Sequence, residues 1–125
     1  MSEQMQKTMD KFLEELKEKS KDYPELMDLF VTCYTNTLDT TVKRMENNTT
    51  HVITGDIPAM WLRDSAAQLR PYIFLAKEDE EIRELIAGLV RRQFMYINID
   101  EYANAFNHSA SGDCWEKDDP NQEPV

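Results

Sequence analysis

The feature that most constrains the fold is an apolar stripe at helical spacing over residues 78–98. Its apolar residues recur every three or four positions, which places them on one face of an α-helix. Acidic residues from Glu78 to Glu81 favour the positive helix start, and Arg91 and Arg92 come late. The stripe therefore predicts an amphipathic helix whose buried face consists of Ile82, Leu85, Ile86, Leu89, Val90, Phe94 and Ile97.

Weaker patterns predict two helices and an extended segment before this stripe. Apolar residues at helical spacing from Met5 to Leu16 predict a first helix ending near Ser20. Pro24 suits the first position of a second helix, which weakens beyond Leu38. Residues 50–54, "THVIT", predict a short strand or extended arm. The second helix is predicted to bury Leu26, Phe30, Cys33 and Tyr34.

Charge and composition restrict the partners of the chain. Fourteen Lys and Arg against 24 Asp and Glu give a net charge of −10, which would repel nucleic acid and an anionic membrane. With no membrane-length apolar run and a charged N-terminus, the expected location is the cytoplasm. His51, His108, Asp113 and Cys114 fit no zinc spacing, and isolated glycines form no phosphate loop, so neither metal nor cofactor is expected.

The stretch "TGDIPAMWLRDSAAQLRP", residues 54–71, allows two interpretations. In the first, Ser65 and Gln68 form a capping box at a helix start, favoured by the nearby negative charge of Asp64. In the second, Trp61 offers a flat apolar face to a sugar ring, while Arg63 and Asp64 supply hydrogen-bond donors and acceptors for its hydroxyls. Spacing alone leaves both open.

A resemblance favours the second interpretation. The string "GDIPAMWLRDS", with "YTNTLDTTV" upstream and "GLVRRQ" and "YANAFN" downstream, resembles the start of the bacterial exo-α-1,6-mannosidases of glycoside hydrolase family 125. The match runs in order from about the second helix to Asn107. It implies an all-α fold, part of an (α/α)6 barrel with about four helices and a short strand-like arm before the motif.

The same resemblance implies a function and a set of site residues. Members of that family remove terminal α-1,6-linked mannose with inversion and without a metal. Inversion requires an acid and a base about 6.5 to 9.5 Å apart, and the resemblance places both in later segments. No catalytic residue is therefore assigned, and the chain alone is expected to be inactive. The expected partner is a mannose-containing oligosaccharide, bound by Trp61, Arg63, Asp64 and Asn107.

The sequence changes character at Asp100, beyond which no helical period continues. We predict a helical part of a barrel over residues 1–99 and an irregular loop over 100–125, with the domain incomplete at Val125. Trp115, Asp118 and Asp119 are expected to be loop residues without a role. The alternative to a mannosidase segment is a non-catalytic helical binding or interaction module, in which the capping interpretation holds.

Overall fold

A computed structural model describes residues 1–114, and its fold is mostly helical, as predicted. These residues form four α-helices and four short strands, and a 3-10 helical segment, Arg70–Lys77, joins the third helix to the fourth. The helices are α1 (Glu3–Lys19), α2 (Pro24–Thr40), α3 (Leu62–Leu69) and α4 (Glu80–Ile99). The strands are β1 (Val42–Arg44), β2 (Thr50–Val52), β3 (Met60–Trp61) and β4 (Ala105–Phe106).

The helix ends follow local sequence signals. Ser2 caps α1 by accepting a hydrogen bond from the backbone nitrogen of Met5, and Pro24 begins α2 as predicted. Asp79 caps α4 by accepting from the backbone nitrogens of Glu81 and Ile82. The same carboxylate accepts from the Thr8 hydroxyl at 2.7 Å, so one side chain both begins α4 and attaches α1 to it.

The predicted strand at residues 50–54 is confirmed, and it is half of a hairpin that the sequence did not predict. β2 pairs antiparallel with β1, with Arg44 opposite Thr50 and Val42 opposite Val52. All three residues of β2 are buried, because the hairpin packs directly on α4. Thr50 lies against Gly88, where α4 has no side chain, and its hydroxyl donates to the Leu85 carbonyl at 2.8 Å.

The core lies where α1, α2, the 3-10 segment and the hairpin meet α4. Aromatic rings join the first three of these: the ring of Tyr34 lies 5.3 Å from that of Phe12 and 4.5 Å from that of Tyr72. The Tyr34 hydroxyl also donates to the Pro71 carbonyl. The largest fully buried side chains are those of Tyr72, Phe106, Met9, Met60, Leu69, Ile82 and Val52.

The predicted buried faces of α2 and α4 were partly wrong. On α2, Leu26 and Cys33 are exposed and Met27 is buried instead. On α4, Val90, Phe94 and Ile97 are exposed, because this helix carries two apolar stripes and only one meets the rest of the described chain. The stripe that is buried continues through polar positions and comprises Ile82, Leu85, Gly88, Leu89, Arg92 and Tyr96.

From Asp100 to Cys114 the chain is irregular apart from β4. The division at residue 99 into a helical part and a loop stays a prediction, and Trp115, Asp118 and Asp119 lie outside the described residues. Within residues 1–114, no helix has both the length and the apolar character needed to cross a membrane.

Candidate functional site

The candidate site is built where β3 runs directly into α3. A turn at residues 54–57 leads to β3: Gly55 has a φ of +112°, and Asp56 accepts from the Thr54 hydroxyl and the Ile57 nitrogen. These hydrogen bonds, chiefly the one from Thr54, lower the pKa of Asp56. Trp61 ends β3 in extended backbone, and α3 begins at the next residue. Arg63 and Asp64 therefore lie in the first turn of α3.

The Arg63 and Asp64 side chains make no hydrogen bond to the rest of residues 1–114. Their closest charged atoms, Arg63 Nη2 and Asp64 Oδ2, are 3.6 Å apart, which exceeds a hydrogen bond. The Arg63 side chain is 90% exposed and that of Asp64 is 36% exposed. Such an exposed pair contributes little to stability. The Arg63 guanidinium is therefore open to a polar ligand, whereas Asp64 Oδ2 is buried and has no hydrogen-bond partner among residues 1–114.

The capping-box interpretation of Ser65 and Gln68 is wrong. α3 begins at Leu62, so Ser65 lies inside the helix, and the N-terminal residue Trp61 provides no side-chain cap. The Ser65 hydroxyl is fully buried and donates to the Leu62 carbonyl at 3.0 Å. Gln68 does not reach back to the helix start: its Nε2 donates to the Ile53 carbonyl at 2.8 Å. The motif thus binds neighbouring segments together instead of capping α3.

The segment that contains Asn107 lies beside the motif. β4 pairs antiparallel with β3, so that Ala105 is opposite Trp61 and Phe106 is opposite Met60. This pairing brings together the two strings, "GDIPAMWLRDS" and "YANAFN", that are far apart in sequence. Asn107 follows β4 and is only 8% exposed. Its Nδ2 donates one of its two hydrogens to the Asp113 carbonyl, and its contact with a sugar stays a prediction.

A buried polar cluster behind β4 was not predicted. Arg92, 3% exposed, donates from Nε to the Tyr96 hydroxyl, from Nη1 to Thr49 Oγ1 and from Nη2 to the His108 carbonyl. The Tyr96 hydroxyl donates its one hydrogen to the Asn107 carbonyl. The hydrogen bonds to the carbonyls of Asn107 and His108 hold this part of the chain against α4. The helical spacing of Leu89, Arg92 and Tyr96 is the signal that could have placed this arginine on the buried face.

His51 completes this cluster from the hairpin. Its Nδ1 lies 2.9 Å from the Tyr96 oxygen. The direction of this hydrogen bond depends on which ring nitrogen of His51 carries the proton. Burial, followed by the positive charge of Arg92 and the nearby His108, lowers the pKa of His51 to about 4. The ring is therefore neutral at pH 7 and is held by its hydrogen bond to Tyr96.

The structure provides no evident metal centre in the part of the chain it describes. No three or more His, Cys, Asp or Glu side chains among residues 1–114 are grouped so that they could hold an ion. The candidate site consists instead of one aromatic face, one guanidinium and one carboxylate at a strand-to-helix junction. That combination is suited to a neutral ligand with many hydroxyl groups.

Comparison with known proteins agrees with that chemistry. Residues 23–124 match the family of metal-independent α-mannosidases, glycoside hydrolase family 125. The match spans most of the chain, and the chain therefore belongs to this family. The matched residues include β3, α3, α4 and β4, which build the candidate site and its surroundings, whereas α1 lies before the match.

Two relatives illustrate the extent of the likeness. A Streptococcus pneumoniae metal-independent α-mannosidase, solved in a non-productive complex with α-1,6-mannobiose, is 54% identical and superposes with a TM-score of 0.81. The likeness covers 82% of this chain and 24% of that one. The meiotically up-regulated gene 157 protein of Schizosaccharomyces pombe is 44% identical over 104 residues, which are 80% of this chain and 20% of the relative. The chain thus spans a quarter or less of these relatives.

Proposed function

We propose that this chain is the mannose-binding N-terminal part of an inverting exo-α-1,6-mannosidase, which removes terminal α-1,6-linked mannose from glycans. The observation that carries the proposal is the junction of β3 and α3, where the exposed Arg63 side chain and the partly buried Asp64 side chain make no hydrogen bond to the described chain. The Streptococcus pneumoniae relative, which binds α-1,6-mannobiose, supports the choice of sugar.

Each site residue has a distinct part in this proposal. The Arg63 guanidinium donates to hydroxyl oxygens of the terminal mannose, and the Asp64 carboxylate accepts from its hydroxyl hydrogens. Trp61, half-buried at the end of β3, packs against the apolar face of the ring. Asn107 supports the neighbouring strand and offers its Oδ1 at the margin of the site. Asp64 acts as a binder, and the catalytic acid and base are supplied by sequence outside these 125 residues.

The test is binding of α-1,6-mannobiose to the purified chain, measured by titration calorimetry or by ligand-observed NMR. Arg63→Ala should raise Kd about 10- to 150-fold, because charged hydrogen bonds contribute about 1.5 to 3 kcal/mol. Arg83→Ala is the matched control, since Arg83 is another exposed arginine and is paired with Glu80 in its own helix. Equal Kd values for the Arg63 and Arg83 variants would contradict the proposed role of Arg63.

A hydrolysis assay tests the second part of the proposal. The chain alone should release no mannose from α-1,6-mannobiose, because it lacks the acid and base pair. Protein-dependent release that Asp64→Asn abolishes would show instead that catalysis lies within these residues. The exposed apolar side chains of Val90, Phe94 and Ile97 favour a segment of a larger domain over a self-sufficient binding module, whose helix faces should be covered.

A further inference from the structure

Gln93 of α4 contacts both residues that flank the Arg63–Asp64 pair. Its Nε2 donates to the Leu62 carbonyl at 3.0 Å and to Ser65 Oγ at 3.1 Å. The Leu62 carbonyl can only accept, so the amide group that faces it must be the nitrogen and not the oxygen. One side chain from a neighbouring helix therefore holds the residue before the pair and the residue after it.

The hydrogen bonds around Gln93 form a closed set. The Ser65 hydroxyl, which is fully buried, accepts from Gln93 and donates to the same Leu62 carbonyl. Both amide hydrogens of Gln93 and the hydroxyl hydrogen of Ser65 are thus used. Such a set fixes the first turn of α3 against α4 in one arrangement, since moving the turn would break all three bonds together.

The side chains of Arg63 and Asp64 cannot supply this positioning themselves. Among residues 1–114, the one polar contact of the Arg63 side chain is with Asp64, and Asp64 Oδ2 is buried without a hydrogen-bond partner. The start of α3 also has no side-chain cap. The place and direction of the two charged groups therefore depend on the backbone of their turn, and Gln93 holds that backbone.

We propose that Gln93 is a positioning residue for mannose binding, which acts by fixing the turn that presents Arg63 and Asp64 to the sugar. This inference rests on the proposed function, because it assumes that those two side chains contact the ligand. It adds to that function a residue of α4 that touches no substrate. A purely structural glutamine would instead affect stability and leave ligand affinity in the folded protein unchanged.

The test variant is Gln93→Glu in the full 125-residue chain, because glutamate has the same shape but, when ionised, no hydrogen to donate. Thr8→Val is the matched control, since it removes one buried hydrogen bond at the other end of α4, from Thr8 to Asp79. Two quantities are measured at a temperature where every variant is folded: the Kd for α-1,6-mannobiose and the NMR order parameters of the Arg63 and Asp64 amides.

The inference expects a specific pattern across the variants. Gln93→Glu should raise Kd about tenfold, which corresponds to about 1.4 kcal/mol, and lower the two order parameters from a rigid value near 0.85. Thr8→Val should change neither quantity. If Arg63→Ala weakens binding and Gln93→Glu does not, the positioning role is overturned while the proposed function stands.

Two other results would show that the proposed function itself fails. If the unaltered chain does not bind mannobiose, or if Arg63→Ala leaves Kd unchanged, the assignment of Arg63 to a sugar site is wrong, and a role for Gln93 in mannose binding falls with it. The order parameters then test only whether Gln93 fixes the first turn of α3 against α4. If these values decrease in Gln93→Glu, Gln93 still holds the first turn of α3 in place. If they are unchanged, Gln93 does not hold this turn either.

Discussion

Gly88→Ala tests the close approach of the β1–β2 hairpin to α4. A Cβ atom added at residue 88 would lie 2.5 Å from Thr50 Oγ1, 3.1 Å from the Thr50 nitrogen and 3.3 Å from the Asn48 carbonyl oxygen. Thr50 is 2% exposed, and its hydroxyl is held by a hydrogen bond to Leu85, so it has no free rotation away from the new atom. The hairpin itself would have to shift.

Two opposing effects decide the magnitude. Alanine is favoured over glycine inside a helix by about 1 kcal/mol. Against this, overpacking costs about 1 to 3 kcal/mol, and loss of the hydrogen bond from Thr50 to Leu85 costs about 1 kcal/mol more. The cost of overpacking should exceed the gain in helix propensity, because two of the three close atoms belong to the backbone and cannot move aside easily. We expect Gly88→Ala to lower the free energy of unfolding by about 2 kcal/mol.

Urea denaturation followed by circular dichroism measures this change, and Thr50→Ala provides the control. Removing Oγ1 deletes the closest contact, so the double variant should be more stable than the sum of the two single changes predicts, by about 1 kcal/mol. A Gly88→Ala protein at least as stable as the unaltered chain would refute the reasoning, because helix propensity would then outweigh the contact with the hairpin.

Two further changes test the buried polar groups. Because burial lowers the pKa of His51 to about 4, the unfolded chain binds its proton first, and Tm should fall as pH decreases from about 6.5 towards 4. His51→Gln should lack this part of the pH dependence. Parallel curves of Tm against pH for the unaltered chain and His51→Gln would contradict this role of His51. Asp79→Ala should cost about 2 kcal/mol in urea denaturation, because it removes the α4 cap and the Thr8 contact. Asp79→Asn, which keeps an acceptor oxygen, should cost less; equal losses would argue against the cap.

Helix positions could be predicted because their signals are local. Pro24 begins α2 where the sequence indicated, and the acidic run before Ile82 begins α4. Which face becomes buried was harder, since α4 is apolar on two sides and only packing decides between them. Phe94 is exposed, whereas Arg92 is buried because oxygen acceptors surround its guanidinium, one from Tyr96 in the same helix and two from other segments.

The candidate site could be predicted as a motif but not as an arrangement. Trp61, Arg63 and Asp64 are recognisable as neighbours in sequence, and the type of each side chain indicates its chemistry. The pairing of Trp61 with Ala105 depends on two-residue strands that lack any alternating pattern. Gln93 was missed for a similar reason, because an amide in the middle of a helix has no local signal for a partner on another helix.

The pairing of β3 with β4 also has a consequence for how the chain folds. Met60 meets Phe106 only after the intervening chain, including α3 and α4, has closed into a loop. Closing a long loop costs entropy before any contact compensates for it, so non-local pairs of this kind form late. During synthesis on the ribosome, the strand that leads into the first turn of α3 therefore waits without its partner until Phe106 has emerged from the exit tunnel.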